Sequence, residues 1–129
     1  MKKTFALILC MSAIALAPLA SIATSKGDAM AALKTAREKL VTLIDTKDKG
    51  AQDALISEIH KASDEVDSQL AALSNDPKAK EAATVWAEFK KTRETEIIPA
   101  VKKGDVVKAK EIASGIQKER FKKMMELLQ

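Results

Sequence analysis

Apolar residues recur at helical spacing in four separate stretches of this chain, and that spacing predicts four amphipathic helices. Ala, Lys, Glu and Leu are the commonest residues of these four stretches, and Gly and Pro are scarce. This composition favours helix over strand. The apolar positions are, in order, Met30, Leu33, Leu40, Leu43 and Ile44; Leu55, Ile59, Ala62, Val66, Leu70 and Leu73; Ala82, Val85, Trp86, Phe89, Ile97 and Val101; and Ala109, Ile112, Ile116, Met124 and Leu127.

The residues between these stretches are typical of helix ends. Asp48-Lys49-Gly50 predicts the end of the first helix. Asp76 is a favourable cap for the third helix, with Pro77 at its first position. Gly104 predicts the end of the third helix, and Asp105 then caps the fourth. Because short loops between amphipathic helices imply antiparallel neighbours, the predicted fold is all-α, an antiparallel up-down-up-down four-helix bundle.

The third stretch contains an aromatic pair and a proline. Trp86 and Phe89 lie one helical turn apart, which predicts that both rings belong to the core. Pro99 lacks a backbone N–H and removes one hydrogen bond from the helix. We therefore expect a kink at Pro99, or a short end segment after Ile98.

In such a bundle the first turn of helix 1 and the last turn of helix 4 lie at the same end. Met30 occupies the first of these turns and Met124 the second, so their two thioether groups could face each other across the core. Spacing alone leaves two interpretations open. The pair is either ordinary core filling or a pair of ligands for a flat cofactor.

The N-terminal residues have the pattern of a secretory signal. Met1-Lys2-Lys3 is positively charged, residues 5–20 are apolar and uncharged, and small residues precede residue 24. We therefore predict a cleaved signal peptide over residues 1–23 and one four-helix-bundle domain over residues 24–129, exported to a bacterial periplasm. Cys10, the only cysteine, falls inside the predicted signal, which leaves no thiol chemistry in the mature chain.

Composition also excludes several classes of function. The chain's 22 basic and 18 acidic residues nearly balance once Lys2 and Lys3 are removed, which argues against a nucleic-acid partner. With one histidine, His60, and no Gly-rich phosphate loop, CxxCH or Glu-x-x-His motif, we do not expect an enzyme. The mature chain has no apolar run of the roughly 20 residues that span a bilayer. The expected state is a monomer, with His60 on a partly exposed helix face.

Several segments resemble the cytochrome b562 family of periplasmic haem-binding four-helix bundles. The run Gly104–Ala113 is similar to the start of that family's last helix, and the similarity continues through Gln117-Lys118-Glu119-Arg120. It also covers Asp28-Ala29-Met30 in helix 1 and, more loosely, residues 50–55. The resemblance implies a small electron-transfer protein that binds haem b non-covalently between helices 1 and 4 and serves an unknown redox partner.

The same resemblance implies a metal site. Met30 falls where the family has its methionine ligand, and Arg120 where the family has an arginine near the haem edge. The family's second ligand is a histidine one turn after that arginine, and here the position is Met124. Either Met30 and Met124 both ligate the haem iron, or haem binding is lost and the bundle remains. In the first case Arg120 and Lys123 would pair with the propionates.

A second resemblance supports a different class of function. The segment from Trp86 to Arg93 and the pair Gly104-Asp105 are also similar to the four-helix ligand-binding domains of bacterial chemoreceptors. The alternative is therefore a haem-free periplasmic bundle that binds a protein or a small ligand. Because those domains are flanked by membrane spans and this sequence stops at Gln129, we expect a soluble relative rather than a complete receptor. A third interpretation is a copper(I) site formed by Met30, Met124 and Met125.

Overall fold

The structure, a computed structural model, describes residues 25–129, so the predicted signal peptide, residues 1–23, lies outside the described residues. The segments α3, π and α4 follow one another directly and form helix 3, while α5 and α6 form helix 4. Within the described range, no helix combines the length and the apolar character that a membrane crossing requires. The elements are α1 (Lys26–Asp45), α2 (Lys49–Ala72), α3 (Pro77–Thr92), the π segment (Arg93–Ile97), α4 (Ile98–Lys102), α5 (Val106–Ser114) and α6 (Ile116–Leu127).

Two ion pairs show which helix ends lie together at each end of the bundle. The Lys26 Nζ to Asp76 Oδ2 distance is 2.8 Å, which places the starts of α1 and α3 at one end of the bundle. At the other end, Lys110 Nζ lies 2.9 Å from Asp45 Oδ1, which joins the start of helix 4 to the end of α1. Helix 1 lies along α2, and α3 along α6, whereas α1 meets helix 4 chiefly through α5. The predicted all-α, up-down-up-down four-helix bundle is confirmed.

One apolar core runs through the bundle and draws side chains from all four helices. Trp86 and Phe89 stack in it, with ring centroids 5.4 Å apart and an interplanar angle of 21°, as predicted for the core. Burying each large apolar side chain stabilises the fold by about 1.5–3 kcal/mol. The largest fully buried apolar side chains are Leu33, Leu40, Leu43, Ile59, Val66, Trp86, Phe89, Ile97, Met124 and Leu128.

Carboxylates cap three of the helices. The Asp76 side chain accepts from the backbone N–H groups of Lys78 and Ala79 in α3. The Asp105 side chain accepts from the backbone N–H of Lys108 in the first turn of α5, so both predicted caps are confirmed. The prediction for Asp48-Lys49-Gly50 is wrong. Asp48 Oδ2 accepts from the backbone N–H of Ala51 at 2.8 Å, so this triplet starts α2, whereas α1 has already ended at Asp45.

Helix 3 changes its winding before Pro99. Over Arg93–Ile97 the chain is π-helical, and the Ile98 N–H donates to the Arg93 carbonyl five residues back. A proline ring clashes with the carbonyl four residues before it in a regular α-helix, and the wider π turn relieves that crowding. The predicted end segment after Ile98 exists as α4, but the π segment that precedes it was not predicted.

Helix 4 was predicted as one continuous helix, and the structure interrupts it at Gly115. A Cβ at this position would lie 3.0 Å from the Glu111 carbonyl oxygen, so glycine permits the close approach. The interruption changes which side chains of α6 face the core. Ile116, predicted as a core residue, is 51% exposed, and Gln117 is buried in its place.

A glycine substitution tests the loop between helices 3 and 4. Gly104 has a φ of 80°, in the left-handed region that disfavours residues with a side chain. Gly104→Ala is expected to lower the free energy of unfolding by about 1–2 kcal/mol. Gly27→Ala, inside α1, is the control and should leave stability unchanged or slightly raised. Urea unfolding of both variants measures this difference. Equal free energies of unfolding for Gly104→Ala and Gly27→Ala would show that a side chain at position 104 causes no backbone strain.

Stability should also depend on pH through the α3 cap. The Lys26 ammonium, and then the Lys78 N–H, hydrogen-bond to Asp76 and lower the pKa of its carboxyl. A lowered pKa in the folded state means that the stabilisation is present at neutral pH and is lost as pH falls below about 4.

Asp76→Asn keeps the capping oxygen but cannot titrate. The stability advantage of the wild type over this variant should therefore shrink between pH 7 and pH 3 in urea unfolding. An advantage that stays constant over that range would show that Asp76 does not act through its charge.

Candidate functional site

Polar side chains enter the bundle interior beside the π segment. Four of them are buried, and the fifth, Arg120, has 21% of its side chain exposed. Burying polar groups in an apolar core costs free energy unless they are hydrogen-bonded, so such a cluster marks a candidate site. We call this set the polar network, and its members are Ser63, Thr92, Arg93, Gln117 and Arg120.

Arg93 links the π segment to α2. Its Nη1 donates to Ser63 Oγ at 2.7 Å, and its Nε and Nη2 donate to Glu94 Oε1 at 3.0 and 2.7 Å. The same Glu94 oxygen lies 3.0 Å from His60 Nε2. The His60 side chain is 52% exposed, as expected for a partly exposed helix residue. The buried guanidinium is thus held by hydrogen bonds both within helix 3 and across to α2.

Gln117 and Arg120 link α6 to the end of α3. Gln117 Nε2 donates to the Phe89 carbonyl oxygen at 2.9 Å. Arg120 Nη1 donates to Thr92 Oγ1 at 2.7 Å and to Gln117 Oε1 at 3.0 Å. These contacts lie just before the π segment on one helix and just after the Gly115 interruption on the other. The stretches of helices 3 and 4 that adjoin the two irregularities are therefore joined to each other.

A groove of about 520 Å³ lies over this part of the seam between α3 and α6. Arg120 lines it, with Nε 3.7 Å from Glu88 Oε2 and, among residues 25–129, no hydrogen-bond partner for Nη2. We call it the α3–α6 groove, and its lining residues are Val85, Glu88, Ile116, Glu119, Arg120, Lys122, Lys123 and Glu126.

Two carboxyl groups outside the polar network have lowered pKa values. Hydrogen bonds to Ser25 lower the pKa of Asp28, and a hydrogen bond from Lys39 lowers that of Glu58. Both carboxylates lie on the surface and outside the polar network. Over residues 25–129, no group of three His, Cys, Asp or Glu side chains is arranged to hold a metal. The arrangement is suited to binding and to coupling helices.

The methionines predicted as ligands belong to the packed end of the bundle. Met124 is fully buried, and Met30 and Met125 are partly buried against the same core. Leu33 and Leu128, each 1% exposed, fill this core with them. Arg120 lies one turn before Met124, but its Nη1 is bonded to the polar network.

Sequence reasoning missed most of the polar network, although a signal was available. Arg93 continues the apolar spacing of Trp86 and Phe89, so a charged residue occupies a core position. Ser63 lies one turn after Ile59 on the buried face of α2. A polar residue at an apolar position is the pattern that identifies both. Gln117 lacked such a signal because the Gly115 interruption decides which face it occupies.

Residues 16–129 match a family model described as a four helix bundle sensory module for signal transduction. No curated protein and no solved structure matches the chain. The match covers all of the structure described above. It agrees with the second resemblance, to sensory ligand-binding domains, and disagrees with the first.

The cytochrome b562 assignment is therefore wrong, and with it the haem b cofactor and the role in electron transport. The resemblance rested on residues common at the starts of bundle helices, such as Gly104-Asp105. Its two ligand positions lie where side chains fill the core, with Met124 fully buried. That Met30, Met124 and Arg120 contact any ligand is untested and stays a prediction.

Gln117, which joins α6 to α3, can be compared with Gln69, whose side-chain oxygen has no hydrogen-bond partner in the described range. Gln117→Leu removes a buried hydrogen bond to Phe89 and an acceptor of Arg120, and is expected to cost about 1 kcal/mol. Gln69→Leu is the control, because Gln69 Oε1 is buried with no hydrogen-bond partner in the described range.

Losing an unsatisfied acceptor should leave the free energy of unfolding unchanged or raised in Gln69→Leu. Thermal and urea unfolding measure both variants. Equal losses of stability would show that the Gln117 hydrogen bonds contribute nothing specific.

Proposed function

This chain belongs to the family of four helix bundle sensory modules for signal transduction, and we propose that it is a haem-free sensor that binds a small ligand. In this proposal the bound ligand changes how helices 3 and 4 pack against each other. A signal requires an element with two arrangements and a ligand that prefers one of them. The polar network and the segments that it joins supply that element.

The hydrogen bonds between the end of α3 and the start of α6, each next to an irregular segment, carry this proposal. The π segment and the Gly115 interruption are the places where the regular hydrogen-bond pattern of each helix is already broken. The π turn is of a kind that occurs frequently at functional sites. Because Gln117 and Arg120 bond to the end of α3, a shift in one helix changes the contacts of the other. An entirely apolar seam would not couple the two segments in this directional way.

We propose that the chain has no catalytic activity of its own. Catalytic groups usually have pKa values tuned toward neutrality by burial or by like charges. The shifted groups, Asp28, Glu58 and Asp76, all move the other way because hydrogen bonds stabilise their ionised forms. Sensing by binding alone needs no such tuning.

We also propose that the sensor works in the periplasm and passes its signal to another protein of a signalling system. The apolar N-terminal residues 5–20 after Lys2 and Lys3 support export. The family's description supports a signalling partner in place of the redox partner that the haem interpretation required.

A thermal-shift screen tests the sensor proposal. The purified protein is heated with separate panels of small carboxylates, amino acids, sugars and amines, and with haemin as the control. A true ligand at 100 times its Kd stabilises the fold by about 2.7 kcal/mol, which raises Tm by roughly 10 °C in a domain of this size. We expect at least one panel to contain such a ligand. Stabilisation by haemin alone, with characteristic visible bands, would contradict the proposal.

A further inference from the structure

Arg120 is a fixed guanidinium with part of its hydrogen-bonding capacity unused. Nη1 is occupied by Thr92 Oγ1 at 2.7 Å and Gln117 Oε1 at 3.0 Å. Nε lies 3.7 Å from Glu88 Oε2, beyond hydrogen-bond distance, and Nη2 has no hydrogen-bond partner within residues 25–129. The edge formed by Nε–H and Nη2–H therefore faces the α3–α6 groove without a hydrogen bond, and the Glu88 carboxylate is its ion-pair partner there.

We propose that this edge of Arg120 binds the carboxylate of a small ligand that has an apolar body, and that the ligand takes the place of Glu88 there. Two parallel N–H groups match the two oxygens of a carboxylate and form a bidentate, charge-assisted pair. The network bonds already hold the guanidinium in place, so little conformational entropy is lost when the ligand binds. This inference rests on the proposed sensor function and names the ligand class for it.

The apolar residues that line the groove indicate that the remainder of the ligand, beyond its carboxylate, is apolar. Ile116 is 51% exposed on α6, and Val85 of α3 lines the same groove. An apolar ligand body placed here would remove the exposed Ile116 surface from water. The volume of about 520 Å³ lies within the range of small-molecule sites, roughly 300–1,000 Å³.

The charges around the groove favour a single negative charge on the ligand. Glu88, Glu119 and Glu126 line it, and they repel a doubly charged anion such as phosphate more strongly than a singly charged one. Of the two lysines present, Lys123 already pairs with Glu81, at 3.0 Å. Arg120 is the lining residue whose planar fork of N–H groups matches a carboxylate, and its single charge matches a monocarboxylate.

Ligand binding at this edge of Arg120 would affect the π segment through Thr92. The Arg120 guanidinium bonds to Thr92, which directly precedes Arg93 in helix 3. A carboxylate that pulls the guanidinium toward the groove therefore changes a contact at the start of the π segment. The ligand site and the coupled helix segments share this side chain.

An NMR titration of the full mature chain with hexanoate tests the site. Hexanoate should shift the methyl signals of Val85 and Ile116 and the Arg120 Nε–H signal, in a saturable way, while its neutral analogue hexanamide should not. Arg120→Lys replaces the planar fork with a point charge and should weaken hexanoate binding about tenfold or more. Lys123→Gln is the matched control, because Lys123 lines the same groove but its ammonium already pairs with Glu81 at 3.0 Å, and it should change the affinity much less.

Ile116→Ser supplies an independent variant, because an exposed side chain can be changed with little effect on folding. It should weaken hexanoate binding but leave the weak binding of acetate unchanged. The absence of shifts at the groove, equal affinity in Arg120→Lys, or tighter binding of inorganic phosphate than of hexanoate would overturn the inference. A stabilising sugar or amine in the thermal-shift screen would then leave the sensor function standing without this site.

Discussion

The hydrogen bonds that Gln117 and Arg120 make to helix 3 hold the end of α3, which adjoins the π segment, against the start of α6, which adjoins the Gly115 interruption. The apolar core explains why four helices associate, but it does not specify how helix 3 and helix 4 are aligned along each other. The bond from Gln117 to the Phe89 carbonyl, 2.9 Å long and buried, specifies that alignment. Directional bonds in a low-dielectric interior are costly to break, so the alignment is maintained.

On the other face of helix 3, Arg93 makes the corresponding contact with α2. A buried guanidinium requires partners for its charge and its N–H groups, and Ser63 and Glu94 provide them. The π turn that carries Arg93 follows from Pro99, whose ring does not fit a regular α-helix at this point. The contact from α2 thus reaches the π segment itself, at Arg93, and the contacts from α6 reach Phe89 and Thr92 just before it. A ligand that alters either contact acts on the same part of helix 3.

The sequence predicted the fold better than the candidate site. Helical spacing, the caps at Asp76 and Asp105 and the glycine at 104 depend on local physics, and the structure confirms them. The two irregular segments depend on packing between helices, which a single helical pattern does not contain. Pro99 predicted a disturbance but not its π form, and Gly115 was not recognised as an interruption.

The functional error has a related cause. Methionine and arginine at the right spacing matched a haem-binding pattern, but helix-start residues are shared by many bundles, and core packing can equally account for Met124. Arg120 was selected for a role beside a haem edge, whereas its contacts are Thr92 and Gln117. The residues that indicate the site are polar residues at positions where the helical pattern requires apolar ones, such as Ser63 and Arg93. Their role depends on the hydrogen-bond partners that the fold places beside them.

A double-mutant cycle between Ser63→Ala and Gln117→Leu measures whether helix 3, at its π segment, couples α2 to α6. The hydrogen bonds of these two side chains run to helix 3 from opposite sides, to Arg93 and to Phe89. Distant sites without a shared element have additive effects on the free energy of unfolding, within about 0.5 kcal/mol. A coupled π segment predicts a coupling energy above that limit. Additive effects would contradict the claim that the two helices communicate through it.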